Sequence, residues 1–206
     1  PFKWDDTRRM DRGKVMTAAE LDSGRQFGRY LDVDGDGIPY RTYPGTHPTK
    51  GSFFTRGTSR DRFARYTEEG AAYQDNMERL LKKFDTAKTL VPAAIRHDAA
   101  EPTRLGAIYY GSTSPAMDEA VELLAAQGIA VDALRVRAFP FGEEVMNFVA
   151  GHSHVFVVEQ NRDAQLRTLL INEGEIDPKR LVRVLHFDGS PITARFIAAA
   201  IARTVA

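Results

Sequence analysis

Carboxylates at alternate positions, Asp32-Val-Asp34-Gly-Asp36-Gly37, are the first residues here whose spacing suggests chemistry. Acidic oxygens at every second residue, with glycine at the sixth, match the opening of an EF-hand loop. Asp32, Asp34, Asp36 and the carbonyl of Ile38 would then hold Ca2+. The twelfth position is Tyr43 where a bidentate Glu belongs, and Pro39 breaks the exit helix. An Asp/Gly turn without metal is the competing reading. Arg41, Arg56, Arg60 and Arg62 crowd the same region. A guanidinium fork suits a carboxylate or phosphate; solvated surface arginines are the alternative. Gly111-Ser112-Thr113-Ser114 closes an apolar run and opens a helical pattern, where open α/β sheets bind anions. It lacks Gly-x-Gly-x-x-Gly and any Gly-Lys-Ser/Thr loop, so an ordinary capped turn competes. Glu159-Gln160-Asn161 stand at another strand end, where a carboxylate suits a general base or a partner contact; a hydrogen-bonded strand end is the bland alternative. His152 and His154 lack an evident third ligand, and His47, His97 and His186 form no recognisable triad.

The elements that must position these residues alternate from Leu105 to Ala206. Strands are expected at 105–110, 129–138, 154–159 and 181–186. Between and after them run helices: 115–127, one burying Val145, Phe148 and Val149, one burying Leu166, Leu169 and Leu170, and a last one burying Phe196, Ile197, Ala200 and Ile201. Ser114 is expected to cap the first of these helices and Ser190 the last, with Pro115 and Pro191 at their first positions; Gly128 and Gly174 are expected stops. Parallel neighbours need long crossovers, which helices supply, so the pattern predicts an α/β fold: a mostly parallel sheet covered by helices.

Ahead of this lie 1–65, an extended arm with little periodicity, and 66–92, a helix and linker; 93–206 is the α/β domain, entered through a linker at 93–104. The helix carries Met77, Leu80, Leu81, Phe84 and Ala87 on one stripe and Glu78, Arg79, Lys82, Lys83 and Asp85 toward water. Aromatics recur along the arm: Phe2, Trp4, Phe27, Tyr30, Tyr40, Tyr43, Phe53 and Phe54. An exposed aromatic arm is costly, so a docking surface on a neighbour is one expectation; cover for the domain below is the other.

Twenty-eight basic against 28 acidic residues leave no net charge to draw the chain to nucleic acid or a membrane surface. No apolar run reaches the ~18 residues of a spanning helix. The opening Pro-Phe-Lys-Trp has no apolar h-region, and zero cysteines exclude disulfides, thiol catalysis and thiolate-held clusters within this sequence. A cytoplasmic setting fits. The sequence begins on Pro, and a piece of a longer polypeptide is expected.

Several strings carry a resemblance: FGRYLDVDGDGIPYRTYPGTHP with FFTRGT, NMERLLKKFDTAKTLVP, GSTSPAMDEAVELL, RAFPF, VVEQNRDAQLR and DGSPITA. Together and in order they resemble the C-terminal part of the α subunit of 2-oxoacid:ferredoxin oxidoreductases, the 2-oxoglutarate type above all. The resemblance implies a three-layer domain similar to the transketolase C-terminal domain, with an antiparallel edge strand often added. It implies thiamine diphosphate, Mg2+, a [4Fe-4S] cluster and CoA in the complete enzyme, held mostly by upstream α-subunit domains and a β subunit, with ferredoxin as electron acceptor and acyl-CoA as product. It places Arg41 against the carboxylate of the 2-oxoacid, with Thr42, Thr55 and Thr58 as weaker contacts. Where relatives read Gly-Thr-Gly-His-Asp/Asn-Glu-Tyr, this sequence reads Gly57-Thr58-Ser59-Arg60-Asp61-Arg62-Phe63, two cations for a His and a Glu. A purely structural assembly domain and a free-standing nucleotide- or CoA-binding module using the 111–114 turn are the other readings.

Overall fold

The computed structural model describes residues 3–205; Phe2, counted among the aromatics above, lies outside them. The chain divides into two units, Pro1–Ala87 and Lys88–Ala206. The 1–65 arm and the helix after it therefore share one unit.

In the first unit, helix α1 (Ala18–Asp22) starts with a capping box, Glu20 N–H donating to Thr17 Oγ1 while Thr17 N–H donates to Glu20 Oε2 at 2.8 Å. Helix α2 spans Gly70–Ala87, shorter than the expected 66–91. Glu78, Lys82, Lys83 and Asp85 face water as expected, but the apolar stripe is not the buried side. Asn76 is its buried residue, whereas Met77, Leu81 and Phe84 are exposed. Other polar side chains take the arm's backbone instead. Arg79 donates to Gly37 O at 3.0 Å, Thr86 Oγ1 to Asp36 O at 2.6 Å, and Asn76 Nδ2 to Arg60 O. An arm without regular structure presents unpaired carbonyls, and polar side chains satisfy them.

The described residues of the second unit hold one five-stranded sheet of order β1-β3-β2-β4-β5. Strands β2 (Leu105–Tyr110), β3 (Asp132–Val136), β4 (His154–Glu159) and β5 (Leu181–Leu185) run parallel. Strand β1 (Ile95–His97) is an antiparallel edge on β3 within the expected 93–104 linker. Helices α3 (Ser114–Ala125) and α6 (Ala194–Val205) cover one face through Met117, Leu124, Ile197 and Ile201. Helices α4 (Glu143–Gly151) and α5 (Gln165–Gly174) cover the other through Val145, Phe148, Leu166 and Leu170. Side chains alternate along β2, Ala107 and Tyr109 to the first face and Ile108 to the second. This is the expected three-layer α/β architecture.

Two expected caps differ. A 3-10 turn, Gly111–Thr113, precedes α3, so Ser114 is already helical and makes no cap bond. Thr193 rather than Ser190 caps α6, accepting from Phe196 N at 3.2 Å, and Pro191 lies outside the helix. Helix α5 stops at Gly174 as expected, with the left-handed residue, Glu175, one position beyond. No described helix is long and apolar enough to cross a membrane.

Candidate functional site

Arg41 sits on a short parallel bridge to Val15, with Met16 N donating to Arg41 O at 2.8 Å. This pairing holds the backbone while the guanidinium reaches out. It donates one N–H to Arg12 O and lies over the Tyr43 ring, 5.8 Å from its centroid. Arg41 has no carboxylate partner among the described residues, so most of its five donors remain for a ligand. Thr42 is buried and its hydroxyl donates to Gly51 O at 2.6 Å, which ties the two ends of the 42–51 loop. Thr55 and Thr58 are exposed. Thr58 shares a cleft with Ser59 and Arg60, whereas Arg62 points to Asp75, with Nε 2.8 Å from Oδ2.

The acidic loop is balanced from within. Lys14 Nζ lies 2.7 Å from Asp34 Oδ2 and 2.5 Å from Asp36 Oδ2. Asp32 Oδ1 accepts from Gly35 N and Asp36 N at 2.9 and 3.0 Å, and Asp36 Oδ1 accepts from Ile38 N at 2.9 Å. The Lys14 bond holds Asp34 below the ordinary carboxylate range; at Asp36 burial pulls upward and Lys14 outweighs it. An ammonium therefore stands between two of the carboxylates expected to hold Ca2+. Among the described residues no group of three or more His, Cys, Asp or Glu is arranged to hold a metal. Gly37 answers to packing: at φ +77°, an added Cβ would lie 2.4 Å from Lys83 N.

In the second unit the strand order reverses between β2 and β4, the switch point where doubly wound sheets bind ligands. Gln160 closes it. Its Nε2 donates to Ser112 Oγ at 3.1 Å and Thr113 Oγ1 at 3.2 Å, and its Oε1 accepts from Ile192 N at 3.3 Å. Glu159 is fully buried and accepts from Leu166 N (2.7 Å), Arg167 N (3.0 Å) and Asn161 Nδ2 (2.8 Å). It caps α5, whose own N-cap residue, Ala164, has no side-chain oxygen to offer. Two residues read as candidate chemistry are thus bound into the scaffold. His152 is buried, its Nε2 3.0 Å from Asp132 Oδ2, at the opposite end of the sheet.

The open space lies one strand over. A crevice of about 680 Å³ at the ends of β2 and β3 is lined by Tyr110, Gly111, Arg137, Phe139, Phe141 and Leu166. Arg137 Nε donates to Ala93 O at 2.7 Å. The signal for this crevice in the sequence is a strand end followed by the paired aromatics Phe139 and Phe141.

No family model matches the chain. Its fold is shared with 2-oxoglutarate:ferredoxin oxidoreductase from Magnetococcus marinus, solved with 2-oxoglutarate, coenzyme A and succinyl-CoA bound, at TM-score 0.76 and 20% identity, over 89% of this chain and 32% of that one. The chain thus spans about a third of that neighbour's length. The alpha chain of a probable 2-oxoacid ferredoxin oxidoreductase from Thermoplasma acidophilum aligns over 55% of this chain and 97% of that one, with 24% identity and TM-score 0.38. An inactive β4 tetramer of split-gene transketolase aligns over 53% and 40%, with 21% identity and TM-score 0.44.

Proposed function

We propose that this chain is the C-terminal part of the α subunit of a thiamine-diphosphate-dependent 2-oxoacid:ferredoxin oxidoreductase, with 2-oxoglutarate as substrate and an acyl-CoA as product, working in the cytoplasm. The observation that carries the reading is the shared fold over 89% of the chain. The residues present do not fit the cofactors themselves. The switch-point crevice is filled by Gln160, Lys14 occupies the acidic loop, and the sequence has no cysteine to ligate a cluster. Thiamine diphosphate, Mg2+ and [4Fe-4S] would be held by upstream α-subunit domains and a β subunit.

This chain's part is to bind and orient. The free N–H groups of Arg41 pair with a substrate carboxylate, and the Arg12 carbonyl and Tyr43 ring limit the rotamers it must give up. Thr42 fixes the loop behind it; Thr55 and Thr58 offer exposed hydroxyls. Trp4 and Phe54, 62% and 75% exposed, support docking of the arm on a neighbouring domain or subunit. The test uses the assembled enzyme and 2-oxoglutarate-dependent viologen reduction. Arg41→Ala is expected to raise KM about tenfold or more, the loss of one charge-assisted pair, with Arg41→Lys intermediate. Unchanged kcat and KM in Arg41→Ala would remove Arg41 from this role.

A second reading, that 88–206 serves assembly only, is favoured by one observation: Glu159 and Gln160 spend their polar atoms on the scaffold. It expects Ser112→Ala to alter complex yield while activity per assembled complex stays normal.

A further inference from the structure

A cavity of about 360 Å³ lies in the first unit, between α2 and the turns around Tyr30 and Ser59. Arg29, Arg60, Arg79 and Lys83 line it, and among the described residues no carboxylate does. The adjoining cleft, which shares Arg79, is different. There Arg62, Arg79 and Lys82 are matched by Asp32, Asp75 and Glu78. With Arg79 counted against the carboxylates of the adjoining cleft, Arg29, Arg60 and Lys83 remain as three unmatched cations in this cavity, so the excess is local.

Compensation is partial: the Asp32 and Asp75 charges act on Arg79, which also donates to Gly37 O at 3.0 Å, and Arg60 donates to Gly57 O. The Tyr30 ring lies 5.6, 5.4 and 5.8 Å from the guanidiniums of Arg29, Arg60 and Arg79, and Arg60 also donates to the Tyr30 hydroxyl at 2.9 Å. One ring quadrupole serves three cations. Burial, and then the Arg29 charge, lowers the basicity of Arg79 from its ordinary value. Three cavity residues also hold a buried polar atom with no hydrogen-bond partner: Ser59 Oγ, Asn76 Oδ1 and Arg79 Nε. Asn76 itself is 7% exposed. Unmet buried polar groups are a standing cost, and a small side-chain movement toward a ligand would relieve it.

We propose that this cavity binds a phosphate ester of nucleotide type. The phosphate sits among the four cations, since a single carboxylate leaves most of that charge uncompensated. The carrier packs on the apolar wall of Tyr73, Met77 and Leu80 and brings an N–H or O–H donor to Asn76 Oδ1. The volume is at the lower end of small-molecule sites. The assignment stands on this cavity alone, independent of the enzymatic reading.

The test is calorimetric titration of the full chain with AMP, CoA, orthophosphate and succinate separately, at low and raised salt. AMP or CoA is expected to bind more tightly than orthophosphate or succinate, with affinity falling as salt rises; which ester binds identifies the source of the phosphate. Arg29→Gln and Lys83→Gln are each expected to weaken binding about tenfold. The Lys83 head is exposed, so that variant tests the site even if Arg79→Gln does not fold. No heat from either ester, succinate binding as tightly as the esters, or an affinity unchanged in Arg29→Gln/Lys83→Gln overturns the proposal.

Discussion

Glu159 decides between chemistry and architecture in the second unit. Its carboxylate receives two backbone N–H groups from the first turn of α5 and one from Asn161, at 2.7–3.0 Å, with none of the residue exposed. Glu159→Ala strips these donors of their acceptor. An unmet buried donor costs about 1–3 kcal/mol, and the favourable carboxylate–helix interaction is worth up to ~1 kcal/mol more. Arg167 N is only part-buried, and water recovers some of its bond. The expected loss is therefore about 3 kcal/mol, a large share of the ~5–15 kcal/mol that a domain commands. Glu159→Gln keeps one acceptor oxygen and should lose about half as much. The assay is urea unfolding followed by far-UV circular dichroism, because the single tryptophan, Trp4, belongs to the other unit. The slope should stay constant while the midpoint falls. A Glu159→Ala chain within about 1 kcal/mol of the parent, or a Glu159→Gln enzyme of parental stability with abolished kcat, would refute the capping account and restore Glu159 as a chemical group.

Two further outcomes follow from the acidic loop. Gly37→Ala is expected to cost about 2–4 kcal/mol, since it combines a left-handed backbone with a Cβ 2.4 Å from Lys83 N; Gly45→Ala, at φ +83° with nothing within 4 Å, should cost only ~1 kcal/mol, and equal melting losses in the two would dismiss the close-approach argument. Lys14 depresses the Asp34 pKa in the folded chain, so its contribution is present above the unfolded carboxylate value of ~4 and fades as pH falls through the lower folded value. Lys14→Met should raise the Asp34 midpoint in an NMR titration and reduce the loss of stability on acidification, while millimolar Ca2+ leaves the parent melting temperature unmoved; an unshifted Asp34 or a calcium-stabilised parent contradicts this.

Residues 105–206 were legible because their signals are local and repeated. Apolar runs, crossover helices and glycine or proline punctuation place all four parallel strands to within a few residues. The antiparallel edge strand that the resemblance implies had no local signal to place it, because Ile95-Arg96-His97 is three residues long and pairs with Leu134 and its neighbours almost forty positions away. The cap of α5 escaped for a similar reason. Its oxygens come from a strand end six residues upstream of Gln165, and no N-cap rule looks that far. The switch point showed the right residues without showing that Gln160 spends its amide across Ser112 and Thr113. At Arg41 the residue type was readable, whereas the Arg12 carbonyl and Tyr43 ring that hold it depend on pairing between distant segments. The first unit is harder still. Periodicity correctly marks the stripe of Met77, Leu81 and Phe84, but it cannot say what the stripe touches. Here the arm's irregular backbone claims the polar side of α2, because its carbonyls need donors more than its few apolar side chains need a groove. Leu81 is left 66% exposed as a consequence. An amphipathic helix with Met77 and Leu81 turned to solvent still has apolar surface to bury, and that surface is the physical argument for reading the first unit as something built to be covered.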